Sequence, residues 1–181
     1  DAGISANNDV TITGCAAGTN SVKIKSNNWA IYSSSGAVSI TNCSVDLSTD
    51  DAGISANNDV TITGCAAGTN SVKVNSKLYS INSSGAVTIT KCSTVDLEVT
   101  TPGWTGIQAS ADLTITGGQV TVTLLESSSS YGLNSNGNII LDWTNSTDFV
   151  LVPSIRYGNN CSVQFVKPFM LDGTDTKATY L

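Results

Sequence analysis

Along most of this chain apolar residues alternate with polar ones over short stretches, and the same stretches keep returning. "VTIT" at 10–13 sets Val10 and Ile12 against Thr11 and Thr13, and "SVKIK" at 21–25 sets Val22 and Ile24 against Lys23 and Lys25. Alternation over β-branched residues predicts strands with one face buried. Clusters of Gly, Asn and Ser between the stretches supply turns. No segment has the 3.6-residue period of a helix.

The pattern repeats at two scales. Residues 1–23 return letter for letter at 51–73. Inside that fifty-residue copy lies a shorter unit, visible when "GISANNDVTITGC" (3–15 and again 53–65), "AIYSSSGAVSITNC" (30–43), "SINSSGAVTITKC" (80–92), "GIQASADLTITGG" (106–118) and "GLNSNGNIILDW" (132–143) are aligned. The starts of the six copies fall 27, 23, 27, 26 and 26 residues apart. Each unit holds three short strands, the first centred on Ile4, Ile31, Ile54, Ile81, Ile107 and Leu133 in turn.

Three strands of this length cannot enclose a core alone, but stacked copies can. Laid one above another at the usual strand spacing of about 4.8 Å, they form three parallel sheets around an apolar interior. Parallel crossovers favour the right hand. The fold expected is all-β: a single-stranded right-handed parallel β-helix of three-strand coils, about 26 residues each, with a C-terminal cap. Residues 1–144 form six coils, and 145–181, which fit the repeat poorly, form a divergent last coil or cap of the same domain. A leucine-rich repeat needs an L-x-x-L-x-L frame, and that frame is missing.

Stacking makes like positions into neighbours, which should then be compatible. The inward Ile and Val columns each bury side chains worth about 2 kcal/mol. Outward on the third strand the column reads Lys23, Asp46, Lys73, Asp96, Thr121. A fifty-residue duplication copies this charge-complementary pair of coils, where copying one coil would set Lys beside Lys. Two residues before the first-strand Ile, Ala2, Trp29, Ala52 and Tyr79 alternate small with large, followed by Thr105 and Tyr131. This suits a narrow interior or its corner. Cys15, Cys43, Cys65 and Cys92 read as a further column after the second strand, a ladder of small thiols packing at a corner. A disulfide staple or a thiolate metal site is the alternative, but stacked side chains point the same way, and no C-x-x-C spacing supports zinc. The fifth cysteine, Cys161, lies in the divergent tail.

Composition narrows the partners. Eight Lys+Arg against fourteen Asp+Glu give a net charge of −6 and a pI near 4.3, and only 12% of residues are charged. Such a surface repels nucleic acid and suits extracellular proteins that meet neutral polymers. No apolar run is long enough to span a bilayer. The chain opens at Asp1 in mid-repeat, as a processed piece of a longer protein does.

The chain has no histidine, so Ser-His-Asp and Cys-His chemistry is excluded. Asp9, Asp59 and Asp112 precede the second strand two rungs apart, about 9–10 Å by the strand spacing, near the separation used by inverting glycosidases. Short acidic residues in Asn/Asp turns also serve the backbone, and the structural role is the expectation. Polysaccharide lysis or hydrolysis through these carboxylates is the alternative function. Calcium is the one cofactor to consider, held by Asp50 and Asp51 or by Asp172 and Asp175. The outward face of the first strand carries Ser5, Tyr32, Ser55, Asn82, Gln108 and Asn134. It is flat, polar and nearly uncharged, with one aromatic ring. It is the candidate glycan-binding surface, Tyr32 stacking on a sugar and the amides bonding hydroxyls. Trp104 and Trp143 are candidates for coil-edge packing or exposure.

The segment "GIQASADLTITGGQVTV" (106–122) resembles the repeats of pectate-lyase-like β-helix domains in secreted or cell-surface bacterial proteins, many of them carbohydrate-binding or adhesin-like. Coils one to four match it more loosely, because their cysteines stand where the second Gly of the motif falls. The resemblance implies a secreted or surface-anchored module, and transfers no ligand residue. Together these readings predict a non-catalytic stalk or adhesin-like module that binds a polysaccharide or a cell-wall glycan.

Overall fold

The computed structural model describes residues 1–125, 129–165, 170–171 and 174–175, and the coils stack as the repeat demands. The first sheet joins seven strands in parallel: Ile4–Ala6, Ile31–Ser33, Ile54–Ala56, Ile81–Ser83, Thr105–Ala109, Tyr131–Ser135 and Ile155–Arg156. The second joins Val10–Thr13, Val38–Thr41, Val60–Thr63, Val87–Thr90, Leu113–Thr116, Ile139–Asp142 and Val163–Phe165. The third holds six: Asn20–Ser26, Cys43–Thr49, Asn70–Ser76, Cys92–Val99, Gln119–Leu124 and Phe149–Leu151. No helix occurs among the described residues. The molecule is a β-solenoid of about six turns.

Register follows the alignment of the repeats. Ile4 pairs with Ile31, Ile31 with Ile54, Ile54 with Ile81, and Ile81 with Ile107. Lys23 faces Asp46, Asp46 faces Lys73, and Lys73 faces Asp96. Lys23 Nζ lies 2.8 Å from Asp46 Oδ2. The hydrogen bond to Asp46 and its charge hold the Lys23 ammonium above its ordinary pKa. Both side chains are well exposed, so the pair sets register more than it adds stability.

The core is one continuous column of aliphatic side chains. Ile31, Ile54, Ile81, Ile107 and Leu133 from the first sheet are fully buried, as are Ile40, Ile62, Ile89 and Ile115 from the second. In coil one the equivalent Ile4, Ile12, Val22 and Ile24 are only partly buried, since no coil covers their upper side. The sheets also run on past the regular repeats. Phe149–Leu151, Ile155–Arg156 and Val163–Phe165 continue all three in register, although their sequences have lost the "VTIT" signature. Beyond them Met170–Leu171 pairs antiparallel with Thr174–Asp175.

The coils are not uniform. Between the second and third strands, coils one and three use long turns, 14–19 and 64–69, where coils two and four turn on the single residues Asn42 and Lys91. Those two adopt the left-handed backbone, with φ of 53° and 56°. This alternation corrects the cysteine column. Cys43 and Cys92 begin third strands and pair with Asn20 and Asn70, while Cys15 and Cys65 sit in the long turns before those asparagines. The four thiols form two interleaved pairs that share a backbone setting, turn or strand start, and all five cysteines are unbridged.

Candidate functional site

The first sheet presents its alternate residues outward at one register position per coil: Ser5, Tyr32, Ser55, Asn82, Gln108 and Asn134. Ser5 is exposed, and Tyr32, Asn82, Gln108 and Asn134 are half-buried. Ser55 is 7% accessible. Its short side chain lies between the longer Tyr32 and Asn82, which cover it, so it offers little to a ligand. Lower on the face the amides join, Asn134 Nδ2 donating to Gln108 Oε1 at 2.7 Å.

The corner before this sheet adds what the sequence reading left out. Trp29 stacks on Tyr32 with ring centroids 4.3 Å apart and planes 17° from parallel. Further down, Tyr79 meets Trp104 edge-on at 5.0 Å. The Arg156 guanidinium lies 5.4 Å over the Tyr131 ring. All five rings are half-buried, so they line the corner from outside and do not fill the interior. Burial raises the Tyr79 phenol. The alternating column Ala2, Trp29, Ala52, Tyr79 was the signal for this stripe. Read as packing alone, it hid how close Trp29 comes to Tyr32 across three residues of corner. Trp143, by contrast, is 5% accessible and belongs to the core.

The acidic turns are structural struts. Asp9 Oδ1 accepts from the backbone N–H of Ala37, Asp59 Oδ1 from Ala86, and Asp112 Oδ1 from Asn138, each at 2.8 Å. The acceptor therefore serves the next coil and not its own turn, as local turn chemistry would have it. A carboxylate bonded this way ties two rungs where no strand pairing reaches.

Of the calcium candidates, Asp50 Oδ1 lies 3.0 Å from Lys77 Nζ, and Asp51 uses its backbone, accepting from Leu78 N at 3.3 Å. Asp172 lies outside the described residues, and of Asp175 only the backbone strand is described. Among the described residues no three His, Cys, Asp or Glu side chains gather to hold a metal. No helix there is long and apolar enough to cross a membrane.

A second concavity, about 350 Å³, opens at the corner between the second and third sheets, between the 64–69 turn and the 143–148 turn. Gly68, Cys92, Gly118 and Asp148 line it. Asp148 is buried, which works to raise its pKa. The backbone N–H groups of Thr144, Asn145 and Gly118 and the Thr144 hydroxyl outweigh that and hold the carboxyl below its usual value. Thr144 N donates to Asp148 Oδ2 at 2.6 Å and Thr144 Oγ1 at 2.9 Å. Its acceptor capacity is spent closing its own turn and holding the Gly118 N–H of the preceding coil.

The thiols at this corner differ although their turns are identical. Cys15 is exposed, and the Thr19 hydroxyl at 3.4 Å, with the turn's backbone donors, lowers its pKa. In coil three the Thr69 hydroxyl at 3.3 Å and backbone donors hold Cys65 at about 7. Cys65 is nevertheless fully covered, because the Gly18 turn of coil one lies against it. Burial pushes Cys43 up, and Cys92 up to about 11. An aromatic disulfide reagent at pH 8 is therefore expected to modify Cys15 within the folded protein, and Cys43, Cys65 and Cys92 only once urea opens the coils. Rapid loss of the Cys92 thiol in the native state would contradict this packing.

Comparison with protein-family models, with curated proteins and with solved structures finds no match to this chain. The architecture therefore rests on its own register, and function on the chemistry of its faces.

Proposed function

We propose that this chain is a non-catalytic, stalk- or adhesin-like surface module that binds a neutral glycan along the outer face of its first sheet. The observation that carries the reading is the Trp29–Tyr32 stack standing in line with the Gln108–Asn134 amide pair. Aromatic faces hold the apolar faces of sugar rings, while side-chain amides both donate to and accept from their hydroxyls. The low charge of the chain suits an uncharged polymer better than an anionic one. The resemblance of the repeats to pectate-lyase-like β-helix domains of secreted bacterial proteins supports the same reading, with the module working outside the cell.

Engagement of Asp9, Asp59 and Asp112 as backbone acceptors weighs against polysaccharide lysis or hydrolysis. A glycan array, followed by calorimetry on the best ligand, tests the proposal. Tyr32→Ala and Trp29→Ala are each expected to weaken binding roughly tenfold, about 1.4 kcal/mol, with the fold intact by circular dichroism. Unchanged affinity in both variants would remove the face from consideration. Release of reducing or unsaturated sugars that stops with Asp59→Asn would overturn the non-catalytic reading.

A further inference from the structure

The outer face of the second sheet is unlike the other two. Its strands in coils one to five read VTIT, VSIT, VTIT, VTIT and LTIT. The inward Val, Leu and Ile of coils two to five are buried, and the alternate residues point out. Those ten outward positions hold nine Thr and one Ser, with no charge and no amide. Register is unbroken from Thr11 and Thr13 through Ser39 and Thr41 to Thr114 and Thr116.

A preference for β-branched residues in strands does not by itself explain this face. Under the same strand geometry the third sheet sets Lys23, Asp46, Lys73, Asp96 and Glu98 outward, and the first sets Tyr32, Asn82 and Gln108. Only the second sheet is restricted to hydroxyls, and the restriction ends at coil six, where Ile140 and Asp142 take the two positions.

The geometry of the array points to its ligand. Hydroxyls recur about 4.8 Å apart from coil to coil and about 6.7 Å apart along each strand. The oxygen rows of a prism face of hexagonal ice repeat at spacings close to both. Threonine is held near few χ1 rotamers, so its hydroxyl and methyl are set before any contact is made. At one step of the row the Thr90 hydroxyl donates to Thr63 Oγ1 at 3.4 Å, closer than the strand spacing, which leaves the Thr63 O–H and the remaining lone pairs to face water. Each hydroxyl can donate one hydrogen bond and accept two, and water bridging two fixed groups binds nearly as well as a direct contact. A charged side chain would orient its own hydration shell and spoil the lattice.

We infer that this face binds ice. The inference stands on the second sheet alone and is independent of the glycan reading, which concerns the first. The test is freezing-point hysteresis and crystal shape in a nanolitre osmometer, on the unmodified chain. Faceted crystals and a melting–freezing gap that widens with protein concentration are expected. Thr63→Lys and Thr90→Lys should each bring the gap down to that of buffer. Thr121→Lys, which adds the same charge beside Asp96 on the third sheet, should keep it. If lysine unfolds the second sheet, the double variant Thr63→Ser with Thr90→Ser tests the same point, since it keeps the hydroxyls but frees their rotation. Its gap should shrink. A folded, unmodified chain with no gap and round crystals overturns the inference, as does a gap indifferent to all changes at positions 63 and 90.

Discussion

Alanine at position 64 is expected to destabilise the protein by about 3 kcal/mol or more. A Cβ built on Gly64 falls 1.8 Å from the carbonyl oxygen of Lys91 and 2.6 Å from its carbonyl carbon. Both obstacles are backbone, and neither can swing aside as a side-chain tip would. Lys91 is itself held at a φ of 56° to turn coil four in one residue, so the clash falls on a segment with little freedom to yield. The informative comparison is Gly68→Ala in the same turn. Gly68 has a φ of 64° but open space around it, so alanine there meets only left-handed strain, about 1 kcal/mol. Urea unfolding followed by circular dichroism measures both. Equal losses in the two variants would show that close approach of backbones is not what reserves position 64 for glycine.

Ile62→Ala should cost 2–5 kcal/mol, on the order of other large-to-small core changes. Ile12 occupies the identical place in the duplicated sequence, and Ile12→Ala is expected to cost less than half as much. The difference comes from neighbours and not from letters. Ile62 pairs with Ile40 above and Ile89 below and is 1% accessible. Ile12 pairs with Ile40 alone and is partly buried. Transfer energy scales with the apolar area removed from water, and the cavity term requires surrounding walls, which coil one lacks on one side. Matching losses at the two positions would mean that coil one is covered in solution by something equivalent to coil two.

Most of the fold could be read from the chain, because a solenoid converts sequence periodicity directly into spatial adjacency. Ile4 over Ile31, and Lys23 over Asp46, follow once the repeat is aligned. The reading failed where the coils depart from equal length. Cys15 and Cys43 occupy the same column of the alignment, yet one lies in a six-residue turn and the other opens a strand, since Asn42 turns the corner alone. The strut made by Asp59 was misplaced for a related reason: its acceptor serves the coil below, and local turn chemistry does not reveal a partner 27 residues away. The individual strands of the divergent tail hid because they are only two or three residues long, too few for alternation to stand out.

At the candidate site the polar ladder of the first strand was legible, being a simple outward column. Its use was not, because Ser55 lies beneath its neighbours and the rings that enrich the face come from the corner. Corners are where side-chain direction changes, so period alone left Trp29 open between the interior and the corner, and the structure puts it at the corner beside Tyr32.

The long turns bear on how the spring comes apart. Asn70 Nδ2 donates to Gly18 O at 2.9 Å, a bond from coil three to coil one that passes over the short corner of coil two. A stack linked only between adjacent layers can lose its top layer singly. Here the first layer is bonded to the third as well as to the second, so opening it must break contacts with two layers, and the fifty-residue duplication is what sets the two long turns that make this bond on alternate coils.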